Sequence, residues 1–226
     1  MHRQAIGHGM TRPDPDRQLA LSYADAAVRP ALDAVFALDD TLAAILRSTR
    51  EPLVGQMRLT WWYEALGRLD TAPAPAEPIL MALQRSVLPR GVSGAMVATL
   101  TDGWDVLLEP VLDAAALSRF AHDRGRRLFE LVSVLLAVND DRIGAAGEGW
   151  ALADLTLGLS DAKDREAARS RAITVLDEAM QGRWPKRARV LGAMALTARF
   201  DVSVPSPPPG SPKRVGRLAW HRLTGY

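Results

Sequence analysis

The sequence predicts an all-α fold, on three observations. Ala, Leu, Arg and Glu recur along its 226 residues, and these are strong helix formers. Alternating runs of β-branched residues are scarce, and no Asn-Gly pair offers a hairpin turn. Prolines stand at the starts of apolar stretches that keep helical spacing, where their missing N–H and fixed φ do no harm.

Taken in order, the pattern reads as about ten helices. Asp14-Pro15-Asp16 opens the first, with Asp14 as N-cap, and it carries Leu19, Leu21, Tyr23 and Ala26. Pro30 starts a second, on which Leu32, Val35, Phe36, Leu42, Ile45 and Leu46 share a face. Glu51-Pro52 opens a third, through Met57, Trp61, Trp62, Leu66 and Leu69. A Pro/Ala connector over 71–78 leads to a short helix from Pro78 to Val87, broken by Pro89-Arg90-Gly91. One helix is expected from Ser93 to Glu109, and the longest, most apolar one from Asp113 to Val138. The polar stretch Asn139–Arg142 reads as a turn. Further helices follow over 149–159, from a Ser160-Asp161 cap to Met180, and over 185–199. A polyproline-like stretch from Val204 to Pro212 precedes a short basic C-terminal helix. The expected organisation is therefore one helical domain over 1–203, with 204–226 as a Pro-rich linker and a helix that packs on the domain or trails it.

The chain has no cysteine, which excludes disulfides, thiolate metal sites and cysteine nucleophiles. Residues 1–16 lack the apolar core of a signal peptide. The longest apolar run, Leu131 to Val138, falls far short of the roughly 20 residues a spanning helix needs. A cytoplasmic protein is expected. Residues 201–226 hold Lys213, Arg214, Arg217 and Arg222 against Asp201 alone, although the whole chain nets only +2. The bulk is thus close to neutral, which argues against a nucleic-acid partner. The basic tail permits at most a peripheral contact with an anionic membrane face.

The specific residues lie in the second and third helices. Arg29-Pro30-Ala31-Leu32, then Val35-Phe36-Ala37-Leu38-Asp39-Asp40, then the block from Arg50-Glu51-Pro52 through Gly55, Arg58-Leu59 and Trp61-Trp62 to Leu66 together resemble the squalene/phytoene synthase family. Leu100-Thr101-Asp102-Gly103-Trp104-Asp105 resembles that family's mid-chain helix, and Gly149-Trp150-Ala151-Leu152-Ala153-Asp154-Leu155 stands where its later acidic helix belongs. The resemblance implies an isoprenoid-synthase-like helical bundle around a central cavity. Active members of the family join two prenyl diphosphates head to head. Carboxylates one turn apart on two facing helices hold the Mg²⁺ ions that draw off diphosphate.

This sequence departs from that pattern. Four residues beyond Asp39 and Asp40 stand Ala43 and Ala44, and four beyond Asp154 stands Gly158. Adjacent aspartates point about 100° apart on a helix and do not replace a pair one turn apart. Asp39 and Asp40, with Asp102 and Asp105, are the candidate metal ligands. Asp102, Asp105 and Glu109 recur at i, i+3 and i+7, which also describes a solvated stripe. Arg58, Trp61, Trp62 and Tyr23 are the candidate ligand or diphosphate contacts; core tryptophans beside a surface arginine is the plainer reading of the first three. Arg124, Arg126 and Arg127 form a charge run of the kind that usually faces solvent, and His122 has no second histidine near it to share a metal.

Two functions follow as expectations. One is a non-catalytic member with degraded aspartate motifs, of the branch resembling assembly factors for respiratory complex I. It would need no cofactor and would bind a lipid-like or prenyl ligand or a protein partner. The other is an active Mg²⁺-dependent head-to-head prenyltransferase with an unorthodox metal site.

Overall fold

The computed structural model describes residues 15–49 and 51–226, and every regular element among them is helical. Asp14, Arg50 and the N-terminal stretch 1–16 lie outside the described residues, apart from Pro15 and Asp16. Helix α1 (Pro15–Leu21) leads through a turn to α2 (Arg29–Ser48) and α3 (Pro52–Arg68). Then come α4 (Pro78–Ser86), α5 (Gly94–Ala98), α6 (Leu100–Asp105), α7 (Ala114–Phe120), α8 (Arg127–Leu135), α9 (Ile143–Gly158), α10 (Ala162–Ala179), α11 (Arg189–Asp201) and α12 (Pro212–Thr224).

Start signals agree with the sequence. Pro52 and Pro78 follow Glu51 and Glu77 in extended backbone, and the Glu77 carboxylate accepts from the Leu80 N–H. Asp161 accepts from the N–H groups of Lys163 and Asp164, which caps α10. Three long helices differ from expectation, and the one expected over 149–159 already starts at Ile143. The stretch from Ser93 is broken at Thr99 and tightens to a 3₁₀ turn over Val106–Leu108, so Glu109 lies outside the helix that carries Asp102 and Asp105. The stretch from Asp113 ends at Leu135, and between α7 and α8 it widens into a π-helical segment, Ala121–Arg126. Tyr23 lies past the end of α1, in the turn before α2.

Helix α9 packs against α8, α10, α11 and the π segment. It is apolar nearly all round, as a buried helix must be. Glycine allows the closest of these contacts. A Cβ on Gly147 would sit 2.2 Å from the Gly125 carbonyl oxygen, and one on Gly125 would sit 2.2 Å from that of Gly147. Gly103 on α6 is tied in the same way to the backbone of Arg124, whose nitrogen would lie 2.5 Å from its Cβ. The π segment is therefore wedged between α6 and α9.

Helix α12 packs on the domain. Arg214, Leu218 and His221 lie on one face and are buried. Arg214 pairs with Asp16 of α1 and Asp201 of α11, and Trp184 N–H donates to the Gly225 carbonyl. No helix among the described residues is long and apolar enough to cross a membrane.

Candidate functional site

Asp39 sits on the inner face of α2, among Val35, Phe36, Leu38 and Leu42, and is 3% exposed. Asp154 stands on α9, one turn beyond Trp150. These are the two carboxylates at the positions of the acidic motifs, and one cation bridges them. Arg124 projects from the π segment with its side chain 3% exposed. Its Nε and Nη2 donate to the two oxygens of Asp39 at 3.1 and 2.9 Å, and its Nη1 donates to Asp154 Oδ2 at 2.6 Å.

The rest of the guanidinium is enclosed by rings. Its carbon lies 4.1 Å from the Trp104 ring centre, 4.7 Å from Trp150 and 5.6 Å from Phe120. These are stacking distances at which a planar cation gains from the negative faces of the indoles. Trp104 also donates its Nε1–H to Asp39 Oδ1 at 3.1 Å. Burial alone pulls the Arg124 pKa down. The charges and hydrogen bonds of Asp39 and Asp154 more than offset that, and hold it above the ordinary arginine value.

The resemblance implies Mg²⁺ between these helices, and the residues present do not fit it. Both oxygens of Asp39 and one of Asp154 already accept from a permanently charged guanidinium. Arginine has no vacant coordination position and does not deprotonate. A magnesium ion needs near-octahedral oxygen ligation, and no cluster of three or more acidic or histidine side chains suited to a metal occurs among the described residues. Arg124 can neutralise the carboxylates; it offers no open site to a diphosphate oxygen.

The structure disperses the other candidates. Asp40 points away from Asp39 and forms a two-pronged pair with Arg17, at 2.9 and 2.6 Å. Asp102 is held by Arg127 at 2.6 Å. Only Asp102 and Asp105 come together, in a groove of about 260 Å³ between α3 and α6 that Tyr63 and Gln56 also line. There burial, and then the charges of Asp102 and Glu109, push the Asp105 carboxyl above its usual range. Glu109 pairs with Arg119 instead of joining a metal stripe.

Arg58 lies exposed and donates to the hydroxyls of Ser48 and Thr49, fastening the start of α3 to the end of α2. Trp61 is half exposed, and Trp62 is buried against it edge-on at 5.2 Å. Tyr23 donates to the Leu218 carbonyl at 3.0 Å under the Arg222 guanidinium, far from these three along the chain. Burial raises its pKa and Arg222 partly offsets this.

Sequence reasoning misplaced Arg124 by grouping it with Arg126 and Arg127. Those two do lie nearer the surface, on Glu148 and Asp102. The signal that separates Arg124 is its neighbourhood: two lone motif aspartates needing one cation, and Gly103, Gly125 and Gly147 where backbone must approach backbone.

The fold and this site define an all-helical protein in which facing helices each present an inward aspartate. More particularly, the chain belongs to the squalene/phytoene synthase family, whose family model matches residues 10–172. No curated protein and no solved structure matches it.

Proposed function

We propose that this chain is a non-catalytic member of the squalene/phytoene synthase family, of the branch that resembles assembly factors for respiratory complex I. The observation that carries the reading is the Asp39–Arg124–Asp154 bridge. An internal monovalent cation stands where the family's chemistry requires exchangeable divalent ions, and it leaves neither carboxylate free to bind them as a pair. The missing second carboxylates at Ala43 and Gly158 support the same reading.

Its role is then to bind. Leu53, Met57 and Trp61 recur at i, i+4 and i+8 along α3 and are 68%, 66% and 49% exposed, beside Arg58. Trp, Met and Arg are enriched at protein interfaces, and this stripe supports a protein partner seated on α3.

Incubation with Mg²⁺ and farnesyl or geranylgeranyl diphosphate tests the central claim. Pyrophosphate release is expected at the protein-free background. Mg²⁺-dependent release that falls in Asp39→Asn would overturn it and restore the prenyltransferase reading.

A further inference from the structure

A second cavity lies at the other end of the bundle. Its volume is about 490 Å³, within the roughly 300–1,000 Å³ usual for small-molecule sites. It opens at the start of α2, where Val28 is eleven residues from Asp39; at the rise of a helix this is about 16 Å from the arginine bridge. Nothing in the central site reaches it.

Its lining has two parts. The floor is apolar and buried: Ala24, Val28, Leu135 and Leu136. The rim is charged and exposed: Arg90, Lys186 and Arg187, opposed by Asp25 alone. Arg90 is aimed by two of its own hydrogen bonds, from Nη1 to the Ser86 carbonyl and from Nη2 to the Ala27 carbonyl, which leave its Nε–H and the remaining Nη protons unspent. Lys186 and Arg187 form no ion pair with any described carboxylate.

Those two cations stand where like charge is unfavourable. They occupy the 3₁₀ turn Lys186–Ala188 that runs directly into the N-terminus of α11, and Ala188 offers no side-chain cap there. A helix N-terminus carries a partial positive charge, so cations just ahead of its first turn repel it, and an anion relieves the repulsion. The backbone at the same cavity is also unusual. Ala137, on its wall, holds φ at +49°, a conformation that crowds the Cβ of any residue but glycine.

We propose that this cavity binds an amphiphile with an anionic head, a phosphate or carboxylate. The head sits between Arg90, Lys186 and Arg187, and a short apolar tail lies on Val28, Leu135 and Leu136. The proposal does not depend on the reading of the central site, since none of the cavity's lining residues hydrogen-bonds or pairs with Asp39, Arg124 or Asp154.

Calorimetric titration of the full chain tests it, with octyl phosphate and octanoate kept below their micellar concentrations. Binding of either supports the site, and the tighter one identifies the head group. Inorganic phosphate and octyl glucoside, which carry the head or the tail alone, are expected to bind at least tenfold more weakly. The exposed double substitution Lys186→Ala/Arg187→Ala should weaken the preferred amphiphile at least tenfold, and Asp25→Asn should tighten it. Both sites are on the surface, so the fold is retained and circular dichroism verifies it. Failure of both amphiphiles to bind would overturn the proposal. So would affinity unchanged in the double variant, or inorganic phosphate as tight as octyl phosphate.

Discussion

Arg124 and Arg214 each bridge two aspartates, in very different company. Arg124 spends Nε, Nη1 and Nη2 on Asp39 and Asp154 and is enclosed by two indoles. Arg214 is as deeply buried, yet its Nε has no hydrogen-bond partner, and of its carboxylates Asp16 is buried while Asp201 is about one-third exposed. One aromatic ring, Phe200, lies 5.4 Å from it. The first bridge joins α2, α9 and the π segment in the middle of the molecule. The second fastens a terminal helix to α1 and α11. The same ionic group can therefore serve as an interior bridge or as a latch, and what decides is whether its partners can regain water when it is removed.

Arg124→Met puts this distinction to its hardest test. Removing one member of a buried ionic set leaves uncompensated charge and typically costs about 3–5 kcal/mol. Two carboxylates would be stranded here, so urea unfolding should show a loss in that range. Neutralising the carboxylates as well, in Asp39→Asn/Arg124→Met/Asp154→Asn, should recover most of it, because the buried charge goes with its partner. A loss below about 1 kcal/mol in the single variant would mean that water reaches both aspartates freely, and the interior bridge would be no different from a surface pair.

Arg214→Met should cost less, about 1–3 kcal/mol, because Asp201 is already partly hydrated and α12 can lift away. The effect should also be local. Hydrogen exchange should quicken across 212–224 while α9 keeps its protection. Equal quickening in α9 would erase the contrast between latch and interior bridge.

Much of the architecture was readable from residues alone. Pro52, Pro78 and the Asp161 cap mark helix starts by local chemistry, which the rest of the chain does not alter. The long helix from Asp113 was harder, because the π segment is set by tertiary contact. Nothing in Ala-His-Asp-Arg-Gly-Arg demands it; the glycines of α6 and α9 that meet it are far away in sequence. For the same reason the motif aspartates were legible and their partner was not. Asp39 and Asp154 were marked by what should have followed four residues later, whereas Arg124 reads like its neighbours Arg126 and Arg127 until the fold buries one and leaves the others nearer the surface. Asp40 was grouped with Asp39 as a metal candidate; adjacent helix positions diverge by about 100°, and it turns outward to Arg17.

Acid should act on the terminal helix through His221. His221 is fully buried on the same helix as Arg214, between the carbonyls of Tyr226 and Arg189, each 3.2 Å from a ring nitrogen. Burial lowers its pKa from the usual 6.5; the carbonyls partly offset this, and the charges of Arg217 and Arg189 lower it further. The unfolded chain therefore takes up the proton first. The stability this group contributes is complete above about 6.5 and is lost as pH falls through the lower folded value. Melting temperature should drop on acidification below 6.5, and His221→Gln should flatten that part of the profile. An unchanged profile in the variant would place the acid sensitivity elsewhere.

The smallest effect expected lies at Ala137, where α8 ends. The Val138 N–H donates back to the Ser133 carbonyl and the Ala137 N–H to the Val134 carbonyl, at 3.1 and 3.0 Å, and this closure of the last turn forces the positive φ. Glycine adopts that conformation without the clash between Cβ and carbonyl oxygen. Its greater freedom in the unfolded chain takes back part of the gain, so Ala137→Gly should stabilise by about 0.5–1 kcal/mol, or roughly 1–4 °C in melting temperature for a chain of this size. A lower melting temperature would show instead that the Ala137 methyl contributes packing to the cavity wall worth more than the strain it carries. The residue would then belong to the construction of the anion site and not merely to the end of a helix.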